Sequence, residues 1–302
     1  MQHILPSRSK RAFKEWLIFI LLVTPNLALL AAFTFWPMIY NFYLSFTEVI
    51  GIGPRAEIRW VGLNNYLTLA RDTVFHKVLI NTVNFTLASI FFTLTLGLAL
   101  ALLLNQPLRW RNGVRAVLFT PTVLSGAAIA IVWIYIFDPR FGLLREILSW
   151  FSLSSPNWLS NPRWSLWAIV IVYVWKNLGY AVVIYLAGLQ AIDKTLYEAA
   201  SIDGAGSWWR FRAVTLPGLS PIMFFLLVTT ILACFQAFDI VRVMTQGGPV
   251  NASNTLVYYL YERGFERNQY GMAGAVSVVM LAITLVLTIL QLRFVERRVT
   301  YA

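Results

Sequence analysis

Glu198-Ala199-Ala200-Ser201-Ile202-Asp203-Gly204-Ala205, followed by Leu216-Pro217 and Pro221, is a polar segment between two long apolar stretches. A connection of about 25 residues is longer than two neighbouring helices need, so this one has a task of its own. Asp193 is a suitable N-cap for a helix reaching Ser201 or Ile202. Leu196, Ala199 and Ala200, spaced i, i+3 and i+4, give it one low apolar face. Gly204 can take the positive φ of a helix stop. Ser207 is expected to cap a second helix through Trp208, Arg210, Phe211 and Val214, which Pro217 is expected to end. The residues thus predict two short helices joined at a glycine hinge. They also allow a second reading, an amphipathic segment lying on lipid, which Trp208, Trp209, Arg210 and Arg212 would suit.

The flanking sequence is apolar to an extent that excludes a soluble domain. The 302 residues are 59% hydrophobic and only 12% charged, against about 25% charged in soluble domains. Six stretches are long enough to cross a bilayer, which takes about 20 apolar residues. They are 16–40, 79–104, 117–137, 164–189, 219–238 and 272–292. The first follows basic residues as a signal peptide would, but it exceeds a signal core of about 7–15 residues, so it reads as a retained span. Pro25 and Pro121 lie in or near spans, where neighbouring helices can compensate for them.

The net charge of +11 resides in short clusters beside the spans, as orientation signals do, and does not imply nucleic acid. Residues 1–15, the loop with Arg109, Arg111 and Arg115, the loop with Lys194, Arg210 and Arg212, and the tail with Arg293, Arg297 and Arg298 fall on one side. Basic residues are about twice as dense there as on the other side, so both termini and the 190–217 loop are expected in the cytoplasm. Trp60, Trp150, Trp158, Tyr258, Tyr259 and Tyr261 lie on the outer side as candidate interfacial anchors.

Catalytic signatures are missing. The sequence has no Gly-x-x-x-x-Gly-Lys-Ser/Thr, no Gly-x-Ser-x-Gly and no His-Glu-x-x-His. His3 and His76 flank spans, and the single Cys234 reads as a small buried residue. No metal site is expected.

Glu198, Ala199, Ala200, Asp203, Gly204, Ala205, Phe211, Leu216, Pro217 and Pro221 stand in the register of the EAA loop, and in this the chain resembles the permease subunits of bacterial ABC importers. Trp60-Val61-Gly62-Leu63-Asn64-Asn65-Tyr66, Ala187-Gly188-Leu189-Gln190, Phe235-Gln236-Ala237-Phe238-Asp239 and Thr245-Gln246-Gly247-Gly248-Pro249 extend the likeness to carbohydrate-uptake permeases. The tail Arg293-Phe294-Val295-Glu296-Arg297-Arg298-Val299 resembles that of glycerol-phosphate permeases, although basic tails are generic. Asp193, where many relatives carry proline, and Val214, where isoleucine is common, depart from the pattern.

The resemblance implies an all-α integral membrane protein with six transmembrane helices and the ABC type I importer permease fold. It implies a multi-pass protein of the bacterial cytoplasmic (inner) membrane, in contact with membrane lipid and binding no nucleic acid. Its implied partners are a second homologous permease subunit, two ATPase subunits and an extracytoplasmic substrate-binding protein. ATP and Mg would be bound by the ATPase subunits, with no cofactor and no catalysis in this chain. The 190–217 loop would dock into a groove on the ATPase and transmit its closure to the spans.

Polar groups within spans are costly and default to functional roles. Lys176 and Asn177 beside Trp175, and Gln236 and Asp239 beside Phe235 and Phe238, are the candidates for the solute path. Aromatic faces with amide and carboxylate groups suit a sugar, a glycosyl-polyol or a glycerol-3-phosphate-like solute, with Lys176 and Arg242 as cations for a charged one. The same residues could instead join helices to one another. The alternative function is an ion-coupled secondary carrier, which needs an acidic relay where only Asp239 comes near. A membrane enzyme is disfavoured by the missing catalytic groups.

Overall fold

In the computed structural model, residues 8–50, 57–107 and 109–295 are described. Residues 1–7, Arg55 and the tail from 296 onward, with Arg297 and Arg298, lie outside them. Helix α1 (Arg8–Leu30) passes through a wide π-type turn, Ala31–Phe35, into α2 (Trp36–Leu44). A two-stranded antiparallel ribbon follows, β1 (Thr47–Ile50) and β2 (Glu57–Trp60), pairing Thr47 with Trp60. Next come α3 (Asn64–Arg71) and α4 (Thr73–Leu104). Helices α5 (Arg111–Val123), α6 (Gly126–Ile136), α7 (Leu143–Trp150) and α8 (Ser165–Ala191) lead to the polar loop. That loop holds α9 (Lys194–Ile202), α10 (Ser207–Arg210), a π-type turn Phe211–Thr215 and α11 (Leu216–Gly218). The chain closes with α12 (Ser220–Phe235), α13 (Asp239–Met244), α14 (Leu256–Tyr261) and α15 (Tyr270–Leu290).

Among the described residues, four helical stretches are long and apolar enough to cross a membrane unaided: Ala12–Leu44, Thr73–Leu104, Ser165–Ala191 and Tyr270–Arg293. Two bent pairs bring the number to six. The third stretch, expected as one span over 117–137, is broken: α5 and α6 meet at 105°. Pro121 removes a backbone donor from the end of α5, and Leu124 and Ser125 take extended geometry at ψ 149° and 135°. The expected 219–238 span likewise ends at Phe235, and Asp239 opens a separate helix.

Small residues let α4 and α8 approach closely. A Cβ on Gly97 would lie 2.9 Å from that of Ala181, and one on Gly179 would lie 2.0 Å from the Leu118 carbonyl oxygen of α5. Around these crossings lie three apolar clusters. One centres on Phe85, Ile169 and Val241, a second on Ala181, Tyr185 and Leu226, and a third on Val78, Leu256 and Val276. The stretch Ala12–Leu44, by contrast, buries none of its most apolar window against its own chain. Its C-terminal end is tied to α15 by Asn41 donating to Ser277.

The loops after α13 and before α15 are pinned to the start of α4. Lys77 donates to the Val250 carbonyl at 2.7 Å, and Asn81 to the carbonyls of Asn251 and Asn254 at 2.8 and 3.1 Å. Asp72 caps α4 through the Val74 N–H and also accepts from Tyr259 Oη at 2.8 Å and Arg263 at 3.0 Å. Tyr258 and Tyr259 are buried here rather than acting as interfacial anchors, whereas Trp60 and Trp150 are exposed. Burial of Asp72 opposes its ionisation, but the bonds from Tyr259, Val74 and Phe75 and the charge of Arg263 outweigh it and hold its carboxyl below the ordinary value. The bonus is therefore complete above the ordinary carboxylate range and is lost as pH falls through the lowered pKa. Asp72→Asn should cost about 1–3 kcal/mol at neutral pH. The gap to wild type in thermal unfolding midpoint should narrow below about pH 4.

Candidate functional site

The polar loop folds as two helical arms. Asp193 accepts from the Thr195 N–H at 2.9 Å and starts α9; that bond lowers its carboxyl pKa. Gly204, at φ +74°, ends it. The Gly204 N–H reaches the Ser201 carbonyl at 3.1 Å and the Ala205 N–H reaches that of Ala200 at 2.9 Å, the paired bonds of a left-handed glycine cap. The second arm differs from expectation in two respects. Gly206, not Ser207, occupies the N-cap, and no side chain caps it. Pro217 does not end the arm, because the wide turn lets the Leu216 N–H bond Phe211 and the helix continues to Gly218 before bending by 61° into α12.

Two cross-links join the arms. Tyr197 Oη meets Thr215 Oγ1 at 3.0 Å, and Arg210 donates to Ser201 Oγ at 3.1 Å. Phe211 packs on Trp208 with ring centroids 5.7 Å apart. Leu196, Ile202, Trp208 and Trp209 are exposed, as is Glu198, which has no hydrogen bond or ion pair among the described residues. Ala199, Asp203 and Gly204 are open too, while Ala200, Ala205, Leu216 and Pro217 are half-buried. The loop thus presents a firm apolar and acidic surface.

Toward the interior, Lys176, Asn177, Gln236, Phe238 and Asp239 converge on one cavity of about 180 Å³, with Gly126 and Tyr173. A second cavity of about 310 Å³ shares Tyr173, Asn177 and Ala233 with the first. It adds Thr93, Thr122, Tyr180, Thr229 and Thr230, which the sequence reading did not single out. Their signal was present as periodicity, since Thr229, Thr230, Ala233, Gln236 and Ala237 repeat at helical spacing.

Trp175 and Phe235 lie elsewhere. Trp175 lines an apolar groove of about 460 Å³ with Phe92, Leu96, Trp158, Trp164 and Trp167. Phe235 is buried in the third apolar cluster. Neighbouring residues on a helix diverge by about 100°, so neither can share a face with the polar residue that follows it. Asp239 and Gln236 are exposed to the cavity. Above them Phe238 packs on Tyr261 at 4.8 Å, and Arg242 lies over the Tyr261 ring at 4.9 Å while paired with Glu266.

Exposed polar groups at helix depth, in a chain of membrane-length helices, line either a water-filled path or a partner. That arrangement is one a multi-span membrane permease would present. A solved bacterial ABC transporter involved in import of the acidic polysaccharide alginate has the same fold, with a TM-score of 0.81 over 95% of this chain and 98% of that one, at 24% identity. The MetNI methionine ABC transporter is more distant, with a TM-score of 0.53 over 75% of this chain and 97% of that one, at 18% identity.

The chain belongs to the family of binding-protein-dependent transport system inner membrane components, whose pattern matches residues 93–301, and is thus an inner-membrane permease subunit of an ABC importer. Among curated relatives, the sn-glycerol-3-phosphate transport system permease protein UgpA of Yersinia pestis bv. Antiqua is 36% identical over 95% of this chain and 96% of its own. UgpA of Salmonella typhimurium is 33% identical over 98% of this chain and 99% of its own.

Proposed function

We propose that this chain forms half of a translocation path for a small polyol or polyol phosphate of the glycerol-3-phosphate type, or a related sugar. The observation that carries this reading is the pair of joined cavities, where Lys176, Asn177, Gln236 and Asp239 supply polar groups among otherwise apolar helices. Hydroxyls on the solute would exchange bonds with Gln236 and Asn177, and the relatives named for glycerol-3-phosphate support a solute of that class.

The other half comes from a second homologous permease subunit. The exposed Ala12–Leu44 stretch and the tryptophan-lined groove are surfaces such a subunit would cover. Two ATPase subunits, which bind ATP and Mg, dock on the 190–217 loop, and both termini lie on that side. A binding protein delivers the solute to the outer loops. This chain performs no catalysis of its own.

The test is ATPase activity of the co-purified complex as binding protein and candidate solutes are added. Stimulation by one loaded binding protein is the expected result; a complex that never includes an ATPase would overturn the reading. Within that assay, Gln236→Ala removes one hydrogen-bonding group worth about 1–1.5 kcal/mol, so about tenfold more solute should be needed for the same stimulation while the complex still assembles.

A further inference from the structure

The two charged residues of the cavity sit on the two sides of the break in the third span. Lys176 Nζ donates to the Thr122 carbonyl at 3.2 Å, and Thr122 Oγ1 returns a bond to the Lys176 carbonyl at 3.0 Å. Thr122 is in the last turn of α5, where carbonyls have no partner within the helix and the dipole is negative. Across the break, α6 begins at Gly126 with no side-chain cap from Ser125. There Asp239 approaches so closely that a Cβ on Gly126 would lie 3.1 Å from its Cβ and 3.3 Å from Oδ2. The positive end of α6 thus faces a carboxylate. Lys176 and Asp239 form no ion pair within 4 Å with each other, so each charge is left to its own helix end.

We propose that Lys176 and Asp239 are positioning residues that clamp the bend between α5 and α6, so that the open break forms a fixed wall of the cavity. An unwound turn at membrane depth is tolerated only where protein or a cavity meets its free backbone groups. Here a cation bonds the carbonyl end, and an anion lies beside the first residue of the other end without a hydrogen bond to it. Gly126 admits the carboxylate, and Gly179 brings α5 against α8 so that Lys176 can reach Thr122. The significance of the wall rests on the translocation reading, but the clamp itself does not, and its test needs no solute.

The bend can be measured by spin-label distances in the full chain, co-purified with its partner subunits in lipid nanodiscs. Cys234, the single cysteine, is replaced by Ala. Labels go at Gly113, whose Cβ position is open, and at exposed Tyr135. At about 1.5 Å per residue these positions would be roughly 33 Å apart in a straight helix and roughly 19 Å apart at the observed bend. Wild type and Lys176→Arg, which keeps the cation, should give one short distance. Lys176→Met and the isosteric Asp239→Asn should add a longer population. A wild-type distance in either variant overturns the proposal. Should Lys176→Met fail to assemble, Asp239→Asn alone decides. Lost uptake with an unchanged distance would make these residues solute contacts instead, leaving the translocation reading standing and the clamp refuted.

Discussion

Gly204→Pro should reduce binding-protein-stimulated ATPase activity to the basal rate while the complex still assembles. Gly204 lies at φ +74°, and proline is locked near −65°, so the chain cannot turn at this position as it does now. Proline also has no N–H, so the bond from Gly204 to the Ser201 carbonyl is lost. The partner bond from Ala205 to Ala200 depends on the same left-handed residue and goes with it. Once the cap opens, the two arms separate, and the Tyr197–Thr215 and Arg210–Ser201 contacts that hold them as one body cannot both persist. On the proposed docking of the ATPase at this loop, its push would bend the loop instead of moving α12. Gly204→Ala, which keeps the N–H but pays about 1–2 kcal/mol for left-handed geometry, should give an intermediate rate. Solute-stimulated ATPase rates of the three proteins, compared at equal complex recovery, are the measurement. A wild-type rate for the proline variant would mean the glycine cap takes no part in coupling.

The same loop shows what a single sequence can and cannot reveal. Its first arm was legible because Asp193 and Gly204 act locally, through an oxygen at the N-cap and a missing Cβ at the stop. The second arm was not, because Pro217 follows a wide turn that shifts the hydrogen-bond register, which no residue type announces. The span containing Lys176 and Asn177 was legible from its continuous apolar length. The break between α5 and α6 was not, because Leu124 and Ser125 are ordinary residues and Pro121 also occurs in helices that merely kink. Lys176, Asn177, Gln236 and Asp239 could be picked out as polar groups in apolar surroundings, and they converge on one cavity. Trp175 and Phe235 were chosen by adjacency to them, a criterion that helical geometry defeats. The hydroxyls of Thr93, Thr122, Thr229 and Thr230 escaped notice because threonine is common in membrane helices. Only the crossing of α4, α5, α8 and α12 places them together.

Gly179→Leu should prevent recovery of a stable complex, and Gly179→Ala should lower its thermal unfolding midpoint in detergent. A Cβ at this position would lie 2.0 Å from the Leu118 carbonyl oxygen, 2.6 Å from its carbon and 2.7 Å from the Phe119 Cα. These are backbone atoms, so no rotamer change relieves the contact and α5 as a whole must withdraw from α8. Overpacking typically costs about 1–3 kcal/mol, and rigid backbone on both sides puts Ala at the upper end and Leu beyond it. The damage would not remain local. Withdrawing α5 stretches the Lys176–Thr122 bonds, frees the last turn of α5 and widens the cavity wall that Thr122 lines. Gly97, where a Cβ meets only the Ala181 methyl at 2.9 Å and the edge of the Tyr185 ring at 3.5 Å, provides the internal comparison. The Ala181 methyl is as fixed as its backbone, but Gly97→Ala meets it at 2.9 Å rather than the 2.0 Å found at Gly179, and should cost less. Equal midpoints for the two alanine variants would show that the α5–α8 contact is looser in the membrane than its geometry implies, and the bend at the third span would then need support other than this crossing.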